Sequence, residues 1–304
     1  MKVVALAGGT GSAKILRGLQ KVTHDLTVIA NVGDNIWMHG LYICPDLDIA
    51  MYTLAGLEDK KMGWGVEGDT YSALSQLKRL GEPSWFKLGD IDLATHIART
   101  RMLRDGKSLT QATSLLSQAL GIRPALLPVT DDPLETHIIT PAGSMHLQEF
   151  WVRRRGRPRV TGVEYRGAAS SSPTLRVEGA IKVADRVVVC PANPVTSVSP
   201  MLAVPGFVRM LQASKARVAA LSPMVGSAPF SGPAGKMMRG LGFSPDSVGV
   251  ARAYSAFADA LLVARSDRRM RVAVEESGPT CVLTETRIAG PDDEVRLARE
   301  LLAA

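Results

Sequence analysis

Val3 to Ala7 is an unbroken apolar run of strand length, and it empties into Gly8-Gly9-Thr10-Gly11-Ser12-Ala13-Lys14 before a helical pattern of Ile15, Leu16, Leu19 and Val22. A strand, a glycine turn and a helix in that order commit the opening of the chain to an α/β unit. Glycines lack the Cβ that would keep a phosphate away from backbone N–H groups. The helix that follows adds unpaired first-turn N–H groups and the positive end of its dipole. An anionic ligand is expected at this turn.

What the turn lacks narrows the ligand. A P-loop needs glycine before its lysine and a hydroxyl after it, but Lys14 stands between Ala13 and Ile15. A dinucleotide fingerprint started at Gly9 and Gly11 meets Lys14 where its third glycine belongs. The second strand, Leu26 to Ala30, ends at Asn31 and not at a ribose-binding acid. ATPase and NAD readings are both disfavoured.

The same rhythm returns later in the chain. Arg186 to Cys190 runs into Pro191–Pro200, and Val218 to Val225 opens onto Ser231-Gly232-Pro233-Ala234-Gly235-Lys236. Ala260 to Val263 and Thr280 to Leu283 are further strand candidates, and a last helix is expected over 292–303. Repeated strand, polar loop and helix predict an α/β fold, a Rossmann-like, doubly wound, mostly parallel sheet. Residues 1–56 and 175–304 form its nucleotide-binding core, and 57–174 form a smaller α+β insertion, mainly helical with a β-hairpin. The hairpin is expected from Met145–Val152 and Val160–Tyr165, with Arg153, Arg154, Arg155, Arg157 and Arg159 at a solvated tip. No aromatic residues interleave these arginines, so nucleic acid is not the expected partner.

The chain has 304 residues, is 46% hydrophobic and carries a formal charge of +7, which suits an anionic small molecule. Cys44, Cys190 and Cys281 are far apart, so neither a disulfide framework nor a cysteine-rich zinc site is expected. No apolar run reaches membrane-spanning length, and the opening is too short for a signal-peptide core. A cytoplasmic protein is the expectation.

Four loops, at 8–14, 31–35, 191–199 and 231–236, should share the carboxyl edge of a parallel sheet. Asp46 and Asp48 stand at a helix start nearby. Asp46 is the expected N-cap, which leaves Asp48 unexplained, and together the two acids suit magnesium. Asp92 is the expected N-cap of a later helix, Lys87 just before it reads as a solvated charge, and His39 and His96 read as structural or substrate-lining. No Ser-His-Asp arrangement is visible, so phosphoryl transfer by positioning and charge neutralisation fits best.

Gly8-Gly9-Thr10-Gly11 with Lys14, Asn31-Val32-Gly33-Asp34, His39-Gly40-Leu41, Pro45-Asp46-Leu47-Asp48, Gly63-Trp64-Gly65, Leu88-Gly89-Asp90, Asp92 to His96, Pro191 to Pro200 and Ser231 to Lys236 resemble the 2-phospho-L-lactate transferase family of coenzyme F-420 biosynthesis. The match runs in order over nearly the whole chain. Departures are Ser12 for glycine, Asn35 for a second aspartate, Ile49 for threonine, and Ala192 and Ser199 in the 191–199 loop. The resemblance implies a magnesium-dependent, homodimeric enzyme. It would move a phospholactyl group, or its enolpyruvyl or phosphoglyceryl counterpart, from a guanosine diphosphate-linked donor to the deazaflavin Fo, releasing GMP. It further implies that Asp46 and Asp48 hold magnesium or activate the acceptor hydroxyl, and that Asp48, Lys87 and His96 meet the deazaflavin. Gly8, Gly9, Thr10, Gly11, Lys14, Asn31, Ser231, Gly232, Gly235 and Lys236 would surround the donor's phosphates, and Asn193, Thr196 and Ser197 its guanosine half. The competing class is a nucleotide-sugar-binding regulator of gluconeogenesis and cell-wall growth that shares the opening glycine loop but typically lacks the acidic pair.

Overall fold

A computed structural model describes residues 1–230 and 232–304. Seven strands, β1 (Lys2–Ala7), β2 (Asp25–Ala30), β3 (Ala125–Pro128), β4 (Arg186–Val189), β5 (Arg217–Leu221), β6 (Ala260–Ala264) and β7 (Thr280–Thr284), form one parallel sheet in the order β7-β6-β5-β4-β1-β2-β3. Val3 to Ala7, Val187 to Val189 and Leu261 to Val263 are all buried, as a sheet covered on both faces requires. β1 pairs with β2 from Lys2↔Asp25 to Ala7↔Ala30, and with β4 from Val3↔Arg186 to Leu6↔Val189.

The strand order reverses direction between β1 and β4. From β1 the chain winds outward through β2 to β3, then returns to the other flank of β1 as β4 and winds outward again to β7. The loops leaving β1 and β4 therefore diverge and open a crevice at the carboxyl edge, where open α/β sheets bind ligands. Helix α1 (Ser12–Val22) starts in that crevice, and α2 (Pro45–Ala55) packs beside it. Gly11 must be glycine because a Cβ there would collide with the Pro191 carbonyl, so the 8–14 and 191–199 loops touch backbone to backbone.

The 57–174 stretch holds α3 (Ser72–Arg79), α4 (Asp90–Arg104) and α5 (Leu109–Ala119), as their helical spacing predicts. Its strand β3 pairs with β2 and so extends the central sheet. The expected hairpin is differently built. Gly143–His146 and Gly162–Arg166 both pair with Glu135–Thr140, an unanticipated middle strand, and not with each other. Beyond His146 the chain coils into a π-helical turn, Glu149–Arg153. Leu147, Phe150 and Trp151 are spaced for a helical turn, and the first two are buried, which overrides the strand reading. A second unanticipated hairpin, Ile36–Met38 with Leu41–Ile43, turns through His39 and Gly40, both at positive φ, so His39 is a turn residue.

Both expected N-caps move. Cys44 precedes α2, and Asp46 sits inside the first turn beside Pro45. Gly89 precedes α4, and its first N–H groups are taken by Asp69 from the preceding loop, at 2.8 Å from Ile91 and 3.0 Å from Asp92. Two carboxylates expected to cap helices are thus free for other partners.

Candidate active site

Two cavities meet at the carboxyl edge. The first, about 210 Å³, is lined by Gly8 to Gly11, Asp34, Asp46, Asn193, Thr196, Ser197 and Gly232. The second, about 530 Å³, is walled by Tyr52, Trp64, Trp85, Phe86 and Trp151, with Asp48, Lys87, Asp92, His96 and Arg155 at its polar points. Thr10, Pro45, Ile49, Trp64, Gln148 and Trp151 line both, so the two spaces share one wall.

The glycine turn is held for an anion. Ser12 Oγ accepts from Gly8 N–H at 3.0 Å and donates to the Gly8 carbonyl at 2.8 Å, fixing the start of the loop. The first turn of α1 carries no acidic residue and its N-cap Gly11 supplies no side-chain cap, and the Ser12 and Ala13 N–H groups make only long bonds, 3.3 and 3.4 Å, to the Gly9 and Thr10 carbonyls. Asp46 stands opposite. It accepts from Gly9 N–H at 2.5 Å and from Asn31 Nδ2 at 2.8 Å, and Asn31 also donates to the Thr196 carbonyl at 3.2 Å. Asn31 is wholly buried and, through Asp46 and the Thr196 carbonyl, ties the 8–14, 31–35 and 191–199 loops together.

Beside Asp46 lies Asp34, which sequence reasoning quoted within its loop but gave no role. Burial and the Asp46 carboxylate push Asp34 well above the usual carboxylate range. Burial likewise lifts Asp46 to about 6, against the lowering bonds from Asn31 and Gly9. Gln148 Nε2 donates to Asp34 Oδ2 at 3.2 Å, whereas Asp34 Oδ1 is buried with no partner. Two buried carboxyls side by side, one with an unclaimed oxygen, fit a hard divalent cation.

Asp48, two residues on, turns into the other cavity and has different partners. Arg99, 1% exposed, grips both its oxygens, Nη1 lying 3.1 Å from Oδ2 and Nη2 bonding Oδ1. Arg99 Nη1 also lies 3.3 Å from His96 Nδ1. A guanidinium only donates, so Nδ1 is the acceptor and the imidazole proton sits on Nε2, 3.2 Å from Asp92 Oδ1. Tyr52 donates to the same Asp92 oxygen at 2.6 Å. Burial pushes Asp92 up, but His96, Tyr52 and Arg99 outweigh it and hold the carboxyl below its usual value. Asp48, Asp92 and His96 each place a ligand atom within 4.8 Å of the others. The guanidinium already supplies the positive charge that a cation would bring there. Asp46 and Asp48 therefore face different cavities and have different partners, and the carboxyl beside Asp46 is Asp34.

Other anticipated residues divide. Gly8, Gly9, Thr10, Gly11, Asn193, Thr196, Ser197 and Gly232 line the first cavity, and Lys87 and His96 the second. Lys14 turns away, its Nζ donating to the Ile288 carbonyl at 3.2 Å. Lys236 donates to the Gly156 and Arg157 carbonyls at 2.5 and 2.9 Å and lies over the Phe150 ring, joining two cavity walls from outside. Gly235 is buried against Pro245, and Ser231 lies outside the described residues. Arg99 and Gln148 went unnoticed in the sequence. Arg99 had a signal, since Asp92, His96 and Arg99 follow i, i+4, i+7 along α4 and so share one helix face.

The family model described as 2-phospho-L-lactate transferase CofD matches residues 3–288. The chain belongs to that family. It is 38% identical over 304 residues to the 2-phospho-L-lactate transferase of Methanosarcina mazei, covering 99% of this chain and 100% of the relative. Against the phosphoenolpyruvate transferase of Mycobacterium ulcerans it is 39% identical over 293 residues, covering 88% of this chain and 89% of that one. A solved UPF0052-family protein of Bacillus halodurans shares the fold, with a TM-score of 0.67, 16% identity and coverage of 99% and 98%. Among the described residues no helix is long and apolar enough to cross a membrane.

Lys14→Ala should leave nucleotide affinity within about twofold, because its ammonium bonds a distant carbonyl. A tenfold weaker Kd by calorimetry would return Lys14 to the phosphate site.

Proposed function

We propose that this transferase moves a phosphorylated three-carbon acid, 2-phospho-L-lactate or its enolpyruvyl or phosphoglyceryl counterpart, from a guanosine diphosphate-linked donor to the terminal ribityl hydroxyl of the deazaflavin Fo. GMP leaves and coenzyme F-420-0 forms. The observation that carries this reading is the shared wall between a glycine-lined polar cavity and a larger aromatic one. The first suits a nucleoside diphosphate and the second a planar ring system. Family membership supplies the reaction class. The same reading makes the protein a homodimer, and exposed apolar side chains such as Trp37 and Ile97 give such pairing surface to bury.

The roles follow from the contacts. The loop N–H groups and the start of α1 hold the diphosphate, with Gly9 kept in place by Asp46. Asn193, Thr196 and Ser197 bound the nucleotide side. Asp34 and Asp46 would hold magnesium, whose charge would offset that of the diphosphate and of the leaving GMP. Asp48, pinned by Arg99, orients the acceptor hydroxyl by accepting its hydrogen bond, and aromatic walls exclude water from the transfer.

Incubation with Fo, magnesium and each guanosine donor, followed by product mass and GMP release, tests the reading. F-420-0 or its enolpyruvyl or glyceryl analogue is expected. Binding of UDP-linked sugars with no GMP released from any donor would overturn it in favour of the regulator. Relatives of both named kinds are equally similar, so this experiment also chooses the acid.

The cation carries its own prediction. Without it, burial keeps a proton on folded Asp46 up to about pH 6 and raises Asp34 well above the usual carboxylate range, whereas an unfolded aspartate sheds its proton at about pH 4. The native state then binds more protons than the unfolded one, so stability falls as pH rises from about 4 through about 6. Added magnesium should reverse that loss, raising Tm clearly at pH 7.5 and little at pH 5. A pH-independent magnesium shift in a melting scan would place the ion elsewhere.

A further inference from the structure

Five arginines crowd the end of the π-helical turn and the segment after it, and the structure treats one of them differently. Arg153 and Arg154 each lie 3.4 Å from Glu149 on the surface. Arg155 makes no ion pair among the described residues and lines the aromatic cavity. Its φ is +55°, a left-handed backbone that a non-glycine residue adopts at a cost of order 1 kcal/mol or more. Gly156 follows at φ +60°, and a Cβ on it would meet the Trp151 ring at 2.9 Å. Lys236 fastens the Gly156 carbonyl and Phe150 the Gly156 N–H, the latter at 2.9 Å. The surroundings thus hold Arg155 in an unfavourable conformation at the edge of a cavity. Strain of this kind that is over-determined by its neighbours points to use.

The charge inside that cavity says what the use is. Its acids are already satisfied, Asp48 by Arg99 and Asp92 by Tyr52 and His96. Its two lining cations, Lys87 and Arg155, have no carboxylate partner among the described residues. Lys87 is 6.0 Å from the centroid of the Tyr71 ring. The aromatic half of the site therefore carries surplus positive charge.

We propose that Arg155 is a specificity-determining residue that binds an anionic oxygen carried by the substrates into the aromatic cavity. The assignment rests on the transferase reading above. An ionised ring hydroxyl of the acceptor and the carboxylate of the donor's acid share this chemistry, and a planar guanidinium suits either.

Two measurements separate the sources. Fluorescence titration of Fo with no donor present reads the first, and steady-state KM for the acid donor against its carboxamide reads the second. R155A is expected to lose roughly tenfold in one of the two. A weaker Fo Kd identifies the ring, whereas a raised donor KM with lost preference over the carboxamide identifies the carboxylate. R155K should recover most of the loss. R155G, which relieves the left-handed backbone, should match wild type in Tm yet be as impaired as R155A. The R153A/R154A double variant, removing more charge, should leave both constants unchanged. Constants within twofold of wild type for R155A, or an equal loss in the double variant, would overturn the assignment. Failure of the unaltered protein to bind Fo or release GMP would overturn the functional reading, and this assignment with it.

Discussion

Asp34→Asn is expected to lower turnover by roughly two to three orders of magnitude while leaving the protein folded and, without magnesium, more stable at neutral pH. Asparagine is nearly isosteric with aspartate, and its side-chain oxygen can still accept from Gln148 Nε2. What disappears is a buried carboxyl that its burial, and after that the neighbouring Asp46 charge, lift well above the ordinary range. Removing it relieves the apo-protein and deprives the diphosphate's counter-ion of a ligand. Stability and function then move in opposite directions, as expected where strain belongs to a site. Two readouts decide the matter: single-turnover transfer at saturating substrates, and the magnesium-induced shift in Tm, which should vanish in the variant. Near-normal turnover together with an intact magnesium shift would remove Asp34 from the machinery.

This residue also shows where the sequence is silent. The strands of the sheet and the loops at their carboxyl ends are legible because a parallel sheet buried on both faces demands unbroken apolar runs such as Val187 to Val189. Such runs end abruptly at polar or glycine turns. Glu135–Thr140 is not legible. Its Thr136 and His137 are buried polar residues of a small three-stranded sheet, so no apolar run marks it. The cavities pose a different problem. Asp46 and Asp48 look like one pair in the sequence, but a helix turns successive side chains by about 100°, and two residues apart they diverge. Their partners come from elsewhere, Asp34 from the loop after β2 and Arg99 from α4, and only tertiary packing brings those together. Lys14 errs in the opposite sense. Its place after the glycine turn suggests a phosphate ligand, yet its position on α1 sends it towards Ile288.

The second large effect is on stability. Arg99→Met should destabilise the fold by about 3–5 kcal/mol, because it strands Asp48 as a buried carboxylate with no counter-charge. Asp48→Asn alone strands the guanidinium instead, and a comparable loss follows. The double variant D48N/R99M should recover most of the stability, since removing both members of a buried ion pair is often close to neutral. Activity should not follow that recovery. The repaired pocket is neutral at the place where the acceptor hydroxyl must be oriented, so Fo affinity should stay low while binding of the guanosine nucleotide, in the other cavity, remains near normal. Denaturant unfolding of the four proteins gives the coupling energy of the cycle, and Fo and nucleotide titrations give the split between cavities. Additive single losses would show that the two charges do not act as a pair. Restored Fo binding in the double variant would show that Asp48 shapes the pocket without touching the acceptor.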